Sequence, residues 1–220
     1  MTFKISKTQL CMKVVVLLAL TGLLPMAHAS VLAPGGLVTP SAMTPSGTIL
    51  ATVSGTITPP VSPDFTATYT TWVYRDPSNF WCANCLDFVY QFTNLGPAVN
   101  ERYSMSNFDG FNISVGVPNL GLHSPVNINR TASGGGSIIA FNYFPFGDEV
   151  NVGETTQLLV IETDAKLFTT GLVSAQNGTA GSNVAFQPTA IPEPGTLALI
   201  GTGIVAVGGF LRRSGLGKNS

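Results

Sequence analysis

Residues 86–94 have the clearest strand pattern in the chain. Large apolar side chains alternate there with smaller or polar ones: Leu86, Phe88, Tyr90 and Phe92 with Asp87, Val89, Gln91 and Thr93. A period of two puts the apolar side chains on one face of a strand and is typical of a half-buried β-strand. Between the terminal segments, no stretch of a dozen residues has the period of a helix. The pattern therefore predicts a β-sheet protein.

Similar patterns recur along the chain and are separated by turns rich in glycine and asparagine. They predict strands near residues 48–57, 65–69, 86–93, 111–117, 137–144, 157–163, 166–173 and 183–187. The segments 137–144 and 157–163 are more continuously apolar, as central strands buried on both faces would be. Eight to ten short strands of this kind predict an all-β, antiparallel β-sandwich over 48–190, preceded by an extended leader over 30–47.

The charge of this central body argues against one class of partner. Between Ser30 and Ile191 there are 4 basic and 10 acidic residues, which gives 4 − 10 = −6. Proteins that bind nucleic acid need a basic surface to neutralise phosphates. We therefore expect no nucleic-acid partner.

The first 29 residues have the three regions of a secretory signal peptide. Lysines precede an apolar run over 14–24, and Ala27-His28-Ala29 supplies the small residues that a signal peptidase recognises. Eleven apolar residues are too few to span a bilayer core of ~30 Å as a permanent anchor. We expect export and cleavage between Ala29 and Ser30.

The other terminal segment combines two prolines, an uncharged stretch and basic residues. Pro192-Glu193-Pro194 precedes the uncharged residues 196–211, and Arg212 and Arg213 follow. A helix that begins after Pro194 could cross a membrane once, with the two arginines as stop charges on the cytoplasmic side. The pattern predicts a membrane-spanning segment within 191–213 and a basic cytoplasmic tail over 214–220.

This arrangement resembles the PEP-CTERM sorting signal of exported bacterial proteins, in residues 192–199, the apolar stretch to Leu211 and the Arg212-Arg213 pair. The resemblance implies that Pro192, Glu193 and Pro194 are recognised by an exosortase, which processes the tail. It also implies an exopolysaccharide-producing cell, a transient inner-membrane anchor, and a final location in the periplasm, on the outer surface or in the extracellular matrix. PEP-CTERM signals usually end abruptly at the basic residues, whereas in this chain seven further residues follow Arg213.

Cys82 and Cys85 are the only cysteines left once the signal peptide, with Cys11, is removed. An even number of cysteines in an oxidising compartment predicts a structural disulfide. The Trp81-Cys82-x-x-Cys85 sequence also suggests a redox site, but such sites lie at a helix N-terminus in a βαβ unit. A tetrahedral zinc site would need a second ligand pair.

Enzymatic chemistry has few candidate residues in the mature chain. His123 is its only histidine, and no Gly-x-Ser-x-Gly motif accompanies it. A glycosidase would need two facing carboxyl groups from among Asp87, Asp109 and the pairs Asp148/Glu149 and Glu162/Asp164. No calcium-loop motif occurs, although a turn at Gly147–Glu149 could hold calcium.

Six aromatic residues cluster in one stretch: Tyr69, Trp72, Tyr74, Phe80, Trp81 and Tyr90. An exposed aromatic strip on a sandwich could stack on sugar rings, whereas most aromatics of such a fold lie in the core.

The sequence thus favours an exported, non-enzymatic surface or matrix protein. Signal peptidase and exosortase are its processing partners, exopolysaccharide is a further partner, and we expect no catalytic residue, metal or cofactor. One alternative is a secreted carbohydrate-active enzyme. The other is a periplasmic thiol protein that uses Cys82 and Cys85.

Overall fold

The computed structural model describes residues 29–60, 64–119, 123–144 and 148–190. Twelve strands lie in these ranges: β1 (Ser30–Val31), β2 (Leu37–Val38), β3 (Thr48–Ile57), β4 (Phe65–Asp76), β5 (Cys85–Pro97), β6 (Arg102–Met105), β7 (Ile113–Gly116), β8 (Asn127–Arg130), β9 (Ile139–Asn142), β10 (Leu159–Thr163), β11 (Leu167–Asn177) and β12 (Thr179–Thr189). A single 3₁₀ turn, Ser133–Gly135, is the only helical element among the described residues.

The strands form two six-stranded sheets. Sheet A has the order β1-β7-β10-β5-β4-β3, and sheet B has the order β12-β11-β6-β9-β8-β2. Strand pairs within both sheets are antiparallel. The all-β fold with two antiparallel sheets, which the alternating pattern predicts, is confirmed. The segment expected to be an extended leader contributes β1 to sheet A and β2 to sheet B.

The core lies between the two sheets and is rich in aromatic residues. Phe92 of sheet A stacks on Tyr103 of sheet B, with ring centroids 4.0 Å apart. The hydroxyl groups of Tyr69 and Tyr90 donate hydrogen bonds across the core to the carbonyl oxygens of Val184 and Phe186 in β12. Each tyrosine therefore buries its ring and still satisfies its polar atom, which avoids the penalty of an unpaired buried hydroxyl.

Arg130, at the end of β8, is a buried cation that connects three loops. Its guanidinium donates hydrogen bonds to the carbonyl oxygens of Gly136, Leu32, Phe108 and Phe111. A Cβ at Gly136 would lie 2.5 Å from Arg130 Nε. Glycine is therefore needed there both for the positive φ of 80° and for the space that the guanidinium occupies.

The outer face of sheet A is covered near β7. The sequence alternates through this strand, yet β7 is buried at all four positions, including Ser114 and Gly116. The cause is the segment before β3: Met43 N donates to Val117 O, and the Ser41 hydroxyl donates to Val115 O. β9 is likewise buried at every position, as its continuous apolar pattern predicts.

Candidate functional site

The residues expected to direct export and sorting lie mostly outside the described residues. Ala27, Pro192, Glu193, Pro194, Arg212 and Arg213 are among them, as are the expected apolar signal segment and membrane helix. In the part of the chain that the structure describes, no helix is long and apolar enough to cross a membrane.

Ser30, the residue after the expected signal cleavage, is the first residue of β1. Its backbone nitrogen donates a hydrogen bond to Ser41 Oγ, at 3.0 Å. Ala29 packs against a small outer cluster that includes Met43, Val89 and Val160. The expected cleavage point thus lies directly before the first strand.

Three carboxylates converge on the outer side of sheet A. Asp76 ends β4, Asp87 is near the start of β5, and Glu162 lies in β10. Asp87 and Glu162 are cross-strand partners, so their side chains lie on the same face. One carboxylate oxygen from each of the three residues lies within 4.8 Å of the others. We call these three residues the carboxylate cluster.

The loop 77–84, between β4 and β5, contacts every member of this cluster. Ser78 donates from both its backbone nitrogen and its hydroxyl to Asp76 Oδ1, at 2.7 Å each. Asn79 Nδ2 donates to Asp87 Oδ1, also at 2.7 Å, and the Phe80 backbone N–H donates to Glu162. The loop therefore holds the three acids in place; Asp76 and Asp87 are buried beneath it, and Glu162 is half-buried.

A disulfide joins Cys82 and Cys85 at the end of this loop, with a Cα–Cα distance of 5.4 Å. The Asn79 side-chain oxygen accepts hydrogen bonds from the backbone nitrogens of Trp81 and Cys82. Asn84 supplies the positive φ of 63° that returns the chain to β5, a conformation that asparagine tolerates. Cys85 is fully buried and Cys82 is half-buried.

Burial dominates the electrostatics of the cluster. Asp87 is 0% exposed and Asp76 is 3% exposed. Burial, with the nearby charges of Glu162 and Asp76, raises the pKa of Asp87 to about 8 against the opposing hydrogen bond from Asn79. Burial and the charge of Asp76 raise the pKa of Glu162 to about 7. Burial would also raise the pKa of Asp76, but hydrogen bonds from Ser46 and Ser78 outweigh it and lower that pKa.

The remaining acidic candidates, Asp109, Asp148, Glu149 and Asp164, are not members of this cluster. Asp164 accepts hydrogen bonds from the backbone and side chain of Asn112, at 3.1 and 2.7 Å. Glu154 lies 3.3 Å from His123 Nδ1. Within the described ranges, the only group of three acidic, histidine or cysteine side chains close enough to share an ion is the carboxylate cluster.

Sequence reasoning singled out Asp87 and Glu162 but missed Asp76 and the grouping itself. The cysteine pair could have indicated Asp76. The loop that the disulfide closes lies directly before β5, and it brings Asp76, the last residue of β4, opposite Cys85. What the sequence does not show is the β5–β10 register, which places Glu162 against Asp87 across 75 residues of chain.

The aromatic stretch divides between the core and the outer face. Tyr69 and Tyr90 are core residues, while Trp72 and Tyr74 are half-buried on the outer face of sheet A, against Val89 and Val160. Phe80 is 48% exposed and packs edge-on against Trp81.

Beyond Trp72, the outer face of sheet A is lined by polar side chains. They come from three neighbouring strands: Ser54, Thr56, Thr68, Thr70, Gln91 and Thr93. We call this set the hydroxyl face. Some of its members bond across strands, as Ser54 Oγ does to Thr70 Oγ1 at 2.9 Å. The set contains no charged residue.

Comparison with known families identifies the C-terminal segment. The family described as the PEP-CTERM protein-sorting motif matches residues 190–213. Neither the curated proteins nor the solved structures gave a match to the chain. The chain therefore carries a PEP-CTERM sorting motif, which supports export and membrane-associated sorting by an exosortase.

Proposed function

We propose that this PEP-CTERM-bearing chain is a non-enzymatic protein of the cell surface or extracellular matrix, whose β-sandwich contacts exopolysaccharide after an exosortase has processed its tail. The observation that carries the proposal is the position of the motif. β12 ends at Thr189, and the matched motif begins at residue 190. Removal of the tail would leave every described strand in place, so the sandwich itself is the delivered product.

The outer face of sheet A supports the contact with polysaccharide. Along β4, alternate side chains present Thr66, Thr68, Thr70, Trp72 and Tyr74 on this face. Threonine hydroxyls can donate and accept hydrogen bonds with sugar hydroxyls, and an indole ring offers an apolar plane for a sugar ring. Because the hydroxyl face carries no charge, its contacts should persist in salt, which screens only charged interactions.

The buried state of the carboxylate cluster favours this proposal over a carbohydrate-active enzyme. A glycosidase needs its acid and its base or nucleophile on either side of a glycosidic bond. Asp76 and Asp87 are 3% and 0% exposed beneath the loop 77–84, so a sugar chain has no access to them. The disulfide, with Cys85 fully buried, likewise favours a structural role for the cysteines over a thiol enzyme.

Polysaccharide retention with product analysis tests the proposal. The polysaccharide is purified from the matrix of exporting cells and immobilised, and the protein recovered from those cells is passed over it. We expect retention that is insensitive to added salt, with the polymer's length unchanged. Trp72→Leu, which keeps an apolar side chain against Val89, should weaken retention by about tenfold, if a sugar ring gains from stacking on the indole about what a nucleic-acid base gains from an aromatic side chain, ~1–3 kcal/mol.

Phe186→Leu is the matched control, because Phe186 is also a partly buried aromatic but lies in sheet B. It should retain polysaccharide as the unchanged protein does. Shortened polymer would favour the enzyme instead. Equal retention of both variants, or none by the unchanged protein, would contradict a polysaccharide contact on this face.

A further inference from the structure

The carboxylate cluster draws its three acids from three different strands. Asp76, Asp87 and Glu162 come from β4, β5 and β10, and their nearest oxygens lie within 4.8 Å of each other. Oxygens this close repel one another when ionised, and the repulsion is stronger where water is excluded. This repulsion is relieved when the acids bind protons or when they share a cation.

No side chain of the described residues supplies that positive charge. Within the described ranges, no lysine or arginine nitrogen lies within 4.0 Å of a cluster carboxylate; the ion pair found there is the one between His123 and Glu154. The serine hydrogen bonds to Asp76 come from neutral groups and all end on Oδ1, and a further side-chain hydrogen bond joins Asp76 to the carboxyl group of Asp87. Asp87 receives its bond from a neutral amide.

A second, independent observation is a set of buried oxygens without partners at the same place. The Oδ2 atom of Asp87 and the Oε2 atom of Glu162 are buried and have no hydrogen-bond donor outside the cluster. Ser114 Oγ, on a residue with 0% exposure, lacks a partner as well. Ser114 is the cross-strand neighbour of Glu162, so its hydroxyl lies on the same face as the acids.

We infer that these groups form a binding site for a divalent cation of the calcium type, with carboxylate oxygens of Asp76, Asp87 and Glu162 as ligands and the Ser114 hydroxyl beside them. An all-oxygen set with several carboxylates suits a hard cation, whereas zinc prefers nitrogen and sulfur. The cation would neutralise the buried charges and link β4, β5 and β10 to one another beneath the loop 77–84. This site is separate from the hydroxyl face and does not depend on how the tail is processed.

Terbium luminescence and thermal unfolding test the site on protein produced from the full-length chain and recovered from exporting cells. The protein is first stripped with a chelator and then titrated with Tb³⁺ or CaCl₂. We expect saturable luminescence, excited through tryptophan, that calcium displaces. Calcium at ~100 times its Kd should raise Tm by about 5–10 °C.

Asp87→Asn and Glu162→Gln remove ligand charge with little change of shape. Each should weaken terbium binding at least about tenfold and remove the calcium-dependent rise in Tm. The matched control is Asp64→Asn, because Asp64 is an exposed acid directly before the first residue of β4, at the opposite end of that strand from Asp76. It should bind as the unchanged protein does.

Two results would overturn the inference, and the first needs no variant to fold. One is an unchanged Tm and no saturable luminescence in the stripped wild-type chain, which would mean that the acids share protons only. The other is terbium binding in Asp87→Asn and Glu162→Gln equal to that of Asp64→Asn, which would place the cation elsewhere.

Discussion

At the scale of single residues, Arg130 is a buried structural residue to which the sequence assigns no role. The side chain is 4% exposed and donates to four carbonyl oxygens in three separate segments. Burial lowers the pKa of Arg130, while the charges of Asp109 and Asp164 oppose that shift. The guanidinium thus acts as an internal cross-link for backbone that forms no sheet there.

Arg130→Met should lower the free energy of unfolding by about 3–5 kcal/mol, because it leaves buried carbonyls without donors. Urea denaturation measures this directly. Arg75→Met is the control, since Arg75 lies in β4 but is exposed, and we expect a change of less than about 0.5 kcal/mol for such a surface site. A loss of under 1 kcal/mol for Arg130→Met would mean that water replaces the guanidinium.

Asp87 shows where residue-level prediction from sequence stops. Its position in the alternating pattern correctly predicts that its side chain points away from the core side of β5. The same pattern predicts a half-buried strand, yet residues 85–90 are buried on both faces. On the outer face there, Asp87 is covered by the loop 77–84, and Val89 packs in a cluster with Met43 and Val160. A local period of two carries no information about what covers that face.

At the scale of elements, the loop 77–84 connects β4 to β5 and also holds the residues of the carboxylate cluster in place. Three consecutive residues, Ser78, Asn79 and Phe80, each bond to a different acid of the carboxylate cluster. The disulfide fixes the far end of this loop. The disulfide should therefore stabilise the carboxylate cluster as well as the β4–β5 hairpin.

Changing Cys82 and Cys85 together to alanine should lower the free energy of unfolding by about 2 kcal/mol, the loop-entropy value for a bridge that closes four residues. Denaturant unfolding with and without a reductant provides the measurement. The reductant should lower the stability of the unchanged protein by a similar amount and leave the double variant unaffected. Equal stability under all four conditions would contradict a structural role for the disulfide.

The strands themselves were predicted unevenly, for a physical reason. β3 coincides with the predicted 48–57 segment, and the long β5 was found because several large apolar residues alternate in it. β6 and β8 were missed, since each has four residues with two buried positions. Such strands exist because their neighbours in sheet B pair with them, which is information from distant parts of the chain.

At the scale of the whole molecule, the two expected processing points flank the folded unit. The expected signal cleavage lies directly before β1, and the PEP-CTERM motif begins directly after β12. β1 belongs to sheet A and β12 to sheet B, so each end of the processed chain would be held by a sheet. The PEP-CTERM motif was recognised from sequence because a sorting signal is read as linear sequence, and the signal peptide stays a prediction.

The intact mass of the protein recovered from outer-surface and matrix fractions shows whether both terminal segments are removed. We expect a chain that starts at Ser30 and ends near residues 192–195, with the sandwich of β1 to β12 complete. Recovery only from membranes, with residues 196–220 still attached, would contradict processing by an exosortase. The chain would then be a membrane-anchored protein with an exported domain.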